Sequence, residues 1–297
     1  MSSAAVPTIL ESLALVLLWV RVGGRWPGLW ARVDALEDRL WAREVHRLPG
    51  LRRRTRAVSC VFALVTGLQQ PVLTWRRMPV RNLYEGFLLI MSLSSTGVYE
   101  LNAMLLIVLS DVQAECFRGL SAVLRSTAKQ GGNQLPSEAV EGVRVLYNEV
   151  CRLTLALDAS LGPILLVTIF ADGLYVCRFI LLFLTGSIPS WYACVRVTIT
   201  VFRFVYTILA ASSVHTEWQA TRSCLLRVAP CRGGKEVGRI FMQIGTDRVA
   251  LTALGIMPIT KSLLPAVFGA ILSYEIIFVQ FNLQTIGRAF SNSTASS

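Results

Sequence analysis

Of 297 residues, 54% are Ala, Val, Ile, Leu, Met, Phe, Trp, Tyr or Cys and only 16% are charged, which is too apolar for an ordinary soluble domain. The 29 Lys and Arg against 18 Asp and Glu leave a net charge of +11. These basic residues lie between long uncharged stretches rather than on one folded basic face, which excludes a nucleic-acid-binding module and makes a lipid bilayer the expected surroundings.

A hydrocarbon core of about 30 Å needs about 20 mostly apolar helical residues. In chain order, Val6–Val20 is apolar except for Glu11 but short. Lacking a basic start and a small-residue cleavage site, it reads as a partial transmembrane helix rather than a signal peptide. Ala57–Trp75 carries no charge, Gly86–Ser110 only Glu100, Ala159–Thr185 Asp172 and Arg178, Val197–Thr216 Arg203, and Ser262–Gly287 Glu275. The fold class is therefore an all-α integral membrane bundle with five full spans and one partial span. Seven cysteines without a CxxC pair and two histidines, His46 and His215, support neither a disulfide scaffold nor a zinc site, and no metal or cofactor is expected.

Orientation follows from the loops. Arg21–Arg56 holds ten arginines against three in Arg76–Arg81, which assigns the first loop to the cytosol. Alternation then puts 111–156 and 217–248 inside, both rich in Lys and Arg, and Gly186–Ser190 outside. The C-terminal tail is also outside, where Asn292-Ser293-Thr294 forms a glycosylation sequon.

Two segments exceed what a membrane requires. From Glu138 the apolar stripe Val140, Val143, Tyr147, Val150, Leu153 and Leu157 keeps helical spacing, with Glu141, Arg144, Asn148 and Arg152 off it. A helix from there to Thr185 would be about 70 Å long, so roughly half projects into the cytosol. The preceding span runs on past Asp111 through Phe117 and Leu124 to a turn at Lys129–Pro136. The expectation is a cytosolic helical layer whose stripe is buried by other subunits. The alternative is a pair of amphipathic segments lying on the membrane.

The last span reads Ser273-Tyr274-Glu275-Ile276-Ile277-Phe278-Val279-Gln280-Phe281. It resembles the Thr-Tyr, five hydrophobic residues, Gln-Phe motif in the last helix of insect gustatory receptors. Thr252-Ala253-Leu254-Gly255 and Ser262-Leu263-Leu264 are similar to that family's approach to its final helix, and Leu146-Tyr147-Asn148-Glu149 with Leu157, Leu161 and Gly162 to its approach to the fifth. The resemblance covers about residues 100–287. Ser273 keeps the hydroxyl of the motif's Thr, whereas Glu275 occupies a slot that the family fills with an apolar residue. The family has seven helices, so the resemblance implies that this chain lacks the first and that Val6–Val20 belongs to the second.

The resemblance implies a plasma-membrane taste receptor, a ligand-gated non-selective cation channel of four subunits, homotetrameric or heteromeric with related receptors, opened by a small-molecule tastant. It divides the chain into N-terminal transmembrane helices (1–110), cytosolic anchor helices (111–156), the fifth and sixth transmembrane helices (157–216), a cytosolic loop and anchor (217–261), the pore-lining last helix (262–287) and an extracellular tail (288–297). On that helix Ser273, Ile277, Gln280 and Gln284 share one stripe with Phe281 at its edge. This is a plausible pore face, and Gln280 with Phe281 is the gate that the motif implies. Tyr274, Gln280 and Phe281 as mere packing residues is the other reading. Glu275 lies about 140° from Gln280, so it should face neighbouring helices, either paired with Arg203 or Arg178, for which Asp172 competes, or protonated or reaching a water-filled cavity. Aromatic residues at the outer level, Trp75, Tyr84, Phe87, Tyr175, Phe183, Trp191 and Tyr192, are candidates for a ligand pocket. The alternatives are a solute transporter, for which no internal repeat is visible, and a metabotropic seven-helix receptor, whose topology would be inverted. An enzyme would need a catalytic constellation, and none is visible.

Overall fold

The computed structural model describes residues 5–24, 27–29, 31–33, 35, 60, 83–130, 137–184, 190–228 and 235–295. Its elements are α1 (Ala5–Gly23), α2 (Leu83–Gln130), α3 (Ser137–Leu184), α4 (Ser190–Val228), α5 (Lys235–Thr246), β1 (Thr252–Ala253), β2 (Met257–Pro258) and α6 (Leu263–Ala295). Among the described residues three stretches are long and apolar enough to cross a membrane, Glu141–Ile180, Val197–Arg227 and Leu263–Gln280, and Leu13–Gly23 is a shorter apolar helix. They coincide with the expected spans at 159–185, 197–216 and 262–287 and with the partial one. Gly86–Ser110 falls inside α2, while Ala57–Trp75 and most of the Arg21–Arg56 loop lie outside the described residues. Past Gly287 the last helix runs on to Ala295 through a stretch without proline.

Both α2 and α3 are continuous 48-residue helices, about 70 Å each. Pro163 sits inside α3. Two segments lying flat on a membrane are thereby replaced by two long rods. The backbone divides into two compact units, Met1–Thr168 with Tyr206–Thr260, and Ile169–Val205 with Lys261–Ser297.

In the first unit the α3 stripe is buried as its periodicity requires: Val143, Tyr147, Val150, Leu153 and Leu157 are all buried, while Arg144 and Asn148 are partly exposed and Arg152 is exposed. The expectation that only other subunits could cover this stripe is corrected. Burial comes from within the chain, because α2, α4 and the segment after α5 pack against it. Gln113 of α2 donates to the Val150 carbonyl at 3.3 Å and to Thr154. Trp218 of α4 donates its indole N–H to the Tyr147 hydroxyl at 3.2 Å, which donates to Asp247 at 3.3 Å. Ser121 and Thr221 join α2 to α4 at 2.7 Å.

At the edge of that layer Arg118 bridges Glu115 and Glu217, the latter at 2.8 Å. Burial works against the guanidinium charge, but the Glu217 hydrogen bond and the two carboxylates outweigh it and hold its pKa above the usual value. Nearer α1, the Trp19 indole donates to Asn102 at 2.8 Å and Asn102 donates to Thr168 at 2.8 Å, which ties three helices through one buried amide.

Between α5 and α6 the chain makes a small hairpin in which Thr252 pairs with Pro258 and Ala253 with Met257. Leu254 and Gly255 have φ of 57° and 73°, so the turn has both central residues left-handed, easy for glycine and costly for leucine. The hairpin is pinned to α3. The Leu254 N–H donates to the Gly162 carbonyl at 3.2 Å, and Thr252 gives its hydroxyl to Asp158 at 2.7 Å and its N–H to the other carboxylate oxygen.

A Cβ on Gly162 would meet Thr252 O at 3.1 Å and Leu254 N at 3.2 Å. These are backbone atoms held by the Asp158 bonds, so they cannot yield. Replacing Gly by Ala in a helix ordinarily gains about 1 kcal/mol. Here overpacking of about 1–3 kcal/mol should win, so Gly162→Ala is expected to lower the thermal midpoint of the purified protein. A raised midpoint would show that the hairpin is not clamped.

Candidate functional site

Helix α6 is apolar from Leu263 to Leu272 and holds no charge before Glu275, which suits a helix in hydrocarbon. Only 17% of its apolar window is buried in the chain, against 56% for α3 and 50% for α4. What is buried is a single stripe. Ile271 and Glu275 are buried and Phe268 is partly buried, with Phe268 packing edge-on against Phe204 of α4 at 6.1 Å between ring centroids. Ser273, Tyr274, Ile277 and Gln280 are all exposed. At 100° per residue the Ser273, Ile277 and Gln280 face lies about 180° from the Ile271 and Glu275 stripe. The polar face of this helix therefore points away from the chain's own bundle. Phe281 and Gln284 lie on the same helix, as does Asn292, but their side chains are outside those described.

The candidate pocket aromatics are distributed over several elements. Tyr175 is half-buried on α3 and packs on Phe179 with ring centroids 4.7 Å apart, and Trp191 is exposed at the start of α4. Tyr84 on α2, Phe87 on α2, Phe183 on α3 and Tyr192 on α4 have side chains outside those described, and Trp75 lies wholly outside the described residues.

Glu275 does face inward, as its position on the helix requires, but Arg203, one of its two candidate partners, is engaged elsewhere. Arg203 of α4 binds Asp172 of α3 through a buried ion pair. Asp172, named as a competitor, has the guanidinium. Both Glu275 carboxylate oxygens are buried and without a hydrogen-bond partner among the described residues. Spacing explains the outcome: Arg203 adjoins Phe204, which meets Phe268, and Glu275 lies seven residues, about 10 Å, further along α6. Sequence reasoning missed Thr200, which is buried one turn from Arg203 on the same face of α4. That i, i+3 spacing was the available signal.

These helices have known counterparts. A family model described as the trehalose receptor matches residues 74–288. The chain belongs to this family of insect gustatory receptors. Curated relatives of this trehalose receptor family member include, from Drosophila melanogaster, the gustatory receptor for sugar taste 64f, 29% identical over 63% of this chain and 40% of its own length. The gustatory receptor 5a for trehalose is 28% identical over 55% of this chain and 38% of its own. The chain thus spans about two fifths of the length of these relatives. Among solved structures, the insect olfactory receptor OR5 from Machilis hrabei superposes with a TM-score of 0.63 at 13% identity, covering 93% of this chain and 80% of that one. The same receptor in complex with eugenol gives 0.63 at 14%. The family member therefore has the all-α, membrane-embedded fold of insect chemoreceptors. Its family is one of receptors and not of enzymes.

Proposed function

We propose that the chain is a subunit of a sugar-taste receptor that is itself a ligand-gated, non-selective cation channel in the plasma membrane. The observation that carries this reading is the exposed Ser273, Ile277 and Gln280 face of α6, opposite the stripe buried in the chain. The Ser273 hydroxyl donates to the Gly269 carbonyl at 2.8 Å, whereas the Gln280 amide groups, turned away from their own bundle, are costly against lipid tails. They are satisfied if four copies, or copies with related subunits, bring these faces together around a water-filled axis. The names of the relatives, sugar taste and trehalose, support a sugar as the tastant.

Gln280, Phe281, Ile277 and Gln284 then line the pore, with Phe281 closing it, while Ser273 and Tyr274 hold the helix in register. The ligand enters the outer half of the helices, with Trp75, Tyr84, Phe87, Tyr175, Phe183, Trp191 and Tyr192 as the aromatic candidates for its walls. The basic loops give a cytosolic first loop and an extracellular C-terminus with Asn292 open to glycosylation. Gating needs no covalent chemistry, since a sugar that binds the open arrangement better than the closed one shifts the population.

The test is electrical. Cells expressing this chain, alone and with a full-length relative, should pass cation current on addition of trehalose, sucrose or glucose. If the protein reaches the surface with its relative and none of these sugars changes the current that the relative passes alone, the reading is wrong.

A further inference from the structure

The hairpin between α5 and α6 carries an apolar tip that this chain leaves uncovered. Leu254, Gly255, Ile256, Met257 and Pro258 are consecutive and all exposed, Ile256 at 79%, while Leu251, Ala253 and Ile259 at the base are buried. Leu254 holds a left-handed φ of 57°, which is costly for leucine, and half of its side chain stays outside the chain's own packing. In water such an unbroken apolar run is a liability.

The backbone of the tip suits a medium without water. The Leu254 N–H donates to the Gly162 carbonyl at 3.2 Å, the Gly255 N–H to the Thr252 hydroxyl at 2.9 Å, and the Ile256 N–H to the Ala253 carbonyl at 3.1 Å. Met257 pairs with Ala253 in the ladder, and Pro258 has no N–H to satisfy. A turn in water can leave such donors to the solvent, whereas a turn at the edge of hydrocarbon cannot.

Its level on α3 agrees. Asp158, which holds Thr252, is the last charge on that helix before an uncharged run to Ala171. Lys261 is likewise the last charge before the uncharged start of α6. The hairpin also crosses the outward face of α3. Arg152, Leu155, Ala159, Leu166 and Phe170 recur at helical spacing and are all exposed, and Gly162 on the same stripe is buried only where the hairpin lies over it. Two exposed cations belong to the charged end of this region, Lys261 and Arg152, the latter about 9 Å before Asp158 along α3.

We infer that the tip at residues 254–258 is a membrane-surface anchor, seated at the boundary between lipid headgroups and hydrocarbon, with Arg152 and Lys261 on the lipid phosphates. An apolar tip beside two cations matches a phospholipid layer, which is apolar within and anionic at its phosphates. The occupant is the surrounding bilayer, so the inference needs neither ligand nor current and stands apart from the channel reading.

The full chain in nanodiscs of phosphatidylcholine and phosphatidylserine tests it, with the photoreactive residue p-benzoyl-phenylalanine placed at position 256. Irradiation should attach phospholipid there as readily as at Leu209, which is exposed within the apolar stretch of α4. It should attach none at Met242, which is 80% exposed but adjoins Gln243, bonded to Asn148, about 15 Å short of Asp158 along α3. Position 257 gives the same comparison if the first variant does not fold. Phosphatidylserine should be enriched among the adducts over its share of the bilayer, and Arg152→Gln with Lys261→Gln should abolish that enrichment. Adducts at position 256 with a second copy of the chain alone, or no more lipid there than at Met242, overturn the anchor. Absent enrichment, or enrichment unchanged in the double variant, overturns the part assigned to the two cations.

Discussion

Arg203→Leu is expected to destabilise the chain by about 3–5 kcal/mol, because it strands the Asp172 carboxylate in a buried site with its ion-pair partner removed. Few folded domains have more than about 5–15 kcal/mol to lose, so most of the variant should be retained inside the cell and degraded. The pair is buried on both sides, with side-chain exposures of 9% for Arg203 and 1% for Asp172, so water does not screen it as it would a surface bridge. Asp172→Leu should do comparable harm for the mirror-image reason. The double variant Asp172→Leu with Arg203→Leu removes both charges and should recover much of the folded protein, since an apolar pair of similar volume is often as stable as a buried ion pair. Surface labelling and thermal midpoints in detergent give the readout. If the double variant is as poorly folded as the sum of the singles, the two residues are not a coupled pair.

Phe281→Ala is expected to give current without ligand. Helix α6 begins at Leu263, and Phe281 comes 18 residues later, about 27 Å along the axis, near the far end of the hydrocarbon core. Four phenyl rings at a narrow point would block ions by dewetting, and rotating the helix part of a turn would exchange them for Gln280 amides able to replace ion hydration. If Phe281 is the gate, removing the rings would lower the barrier that keeps the closed state dry. A bias of about 1.4 kcal/mol toward the open arrangement would raise a small open fraction tenfold. A packing residue would behave differently, with less protein at the surface and no leak. Normal assembly and full ligand dependence in both Phe281→Ala and Gln280→Ala would remove both positions from the gate.

What could be read in the sequence divides along the range of the interactions. Spacing along one helix identified the buried stripe at Val143, Tyr147 and Val150, the inward turn of Glu275, and the opposition between Glu275 and Gln280, because each follows from residues a few turns apart. Interactions across the chain were not readable in the same way. Gln113 reaches Val150 over 37 residues and Trp218 reaches Tyr147 over 71, and no local pattern announces such pairs, so the stripe was assigned to other subunits when this chain covers it itself. The partner of Arg203 stayed open in the sequence because two acids competed for it and only three-dimensional level decides between them. The hairpin escaped notice because its strands are two residues each and one of its left-handed turn positions is a leucine, where pattern reading looks for Asn or Gly.

The docking of that hairpin on Asp158 and Gly162 also bears on how the chain is made. Asp158 and Thr252 are 94 residues apart, and a ribosome adding about 5–20 residues per second leaves the acceptor waiting for several seconds before its donor exists. Through that interval α3 is complete while the hairpin that docks on it has not yet been synthesised. Helix α6, the least enclosed of the described apolar helices, thus emerges after the others, only moments after the latch is made. Nascent chains stalled shortly before Thr252 would lack the latch altogether. Quality control that senses an unlatched α6 would therefore act when the earlier helices have already committed to the membrane.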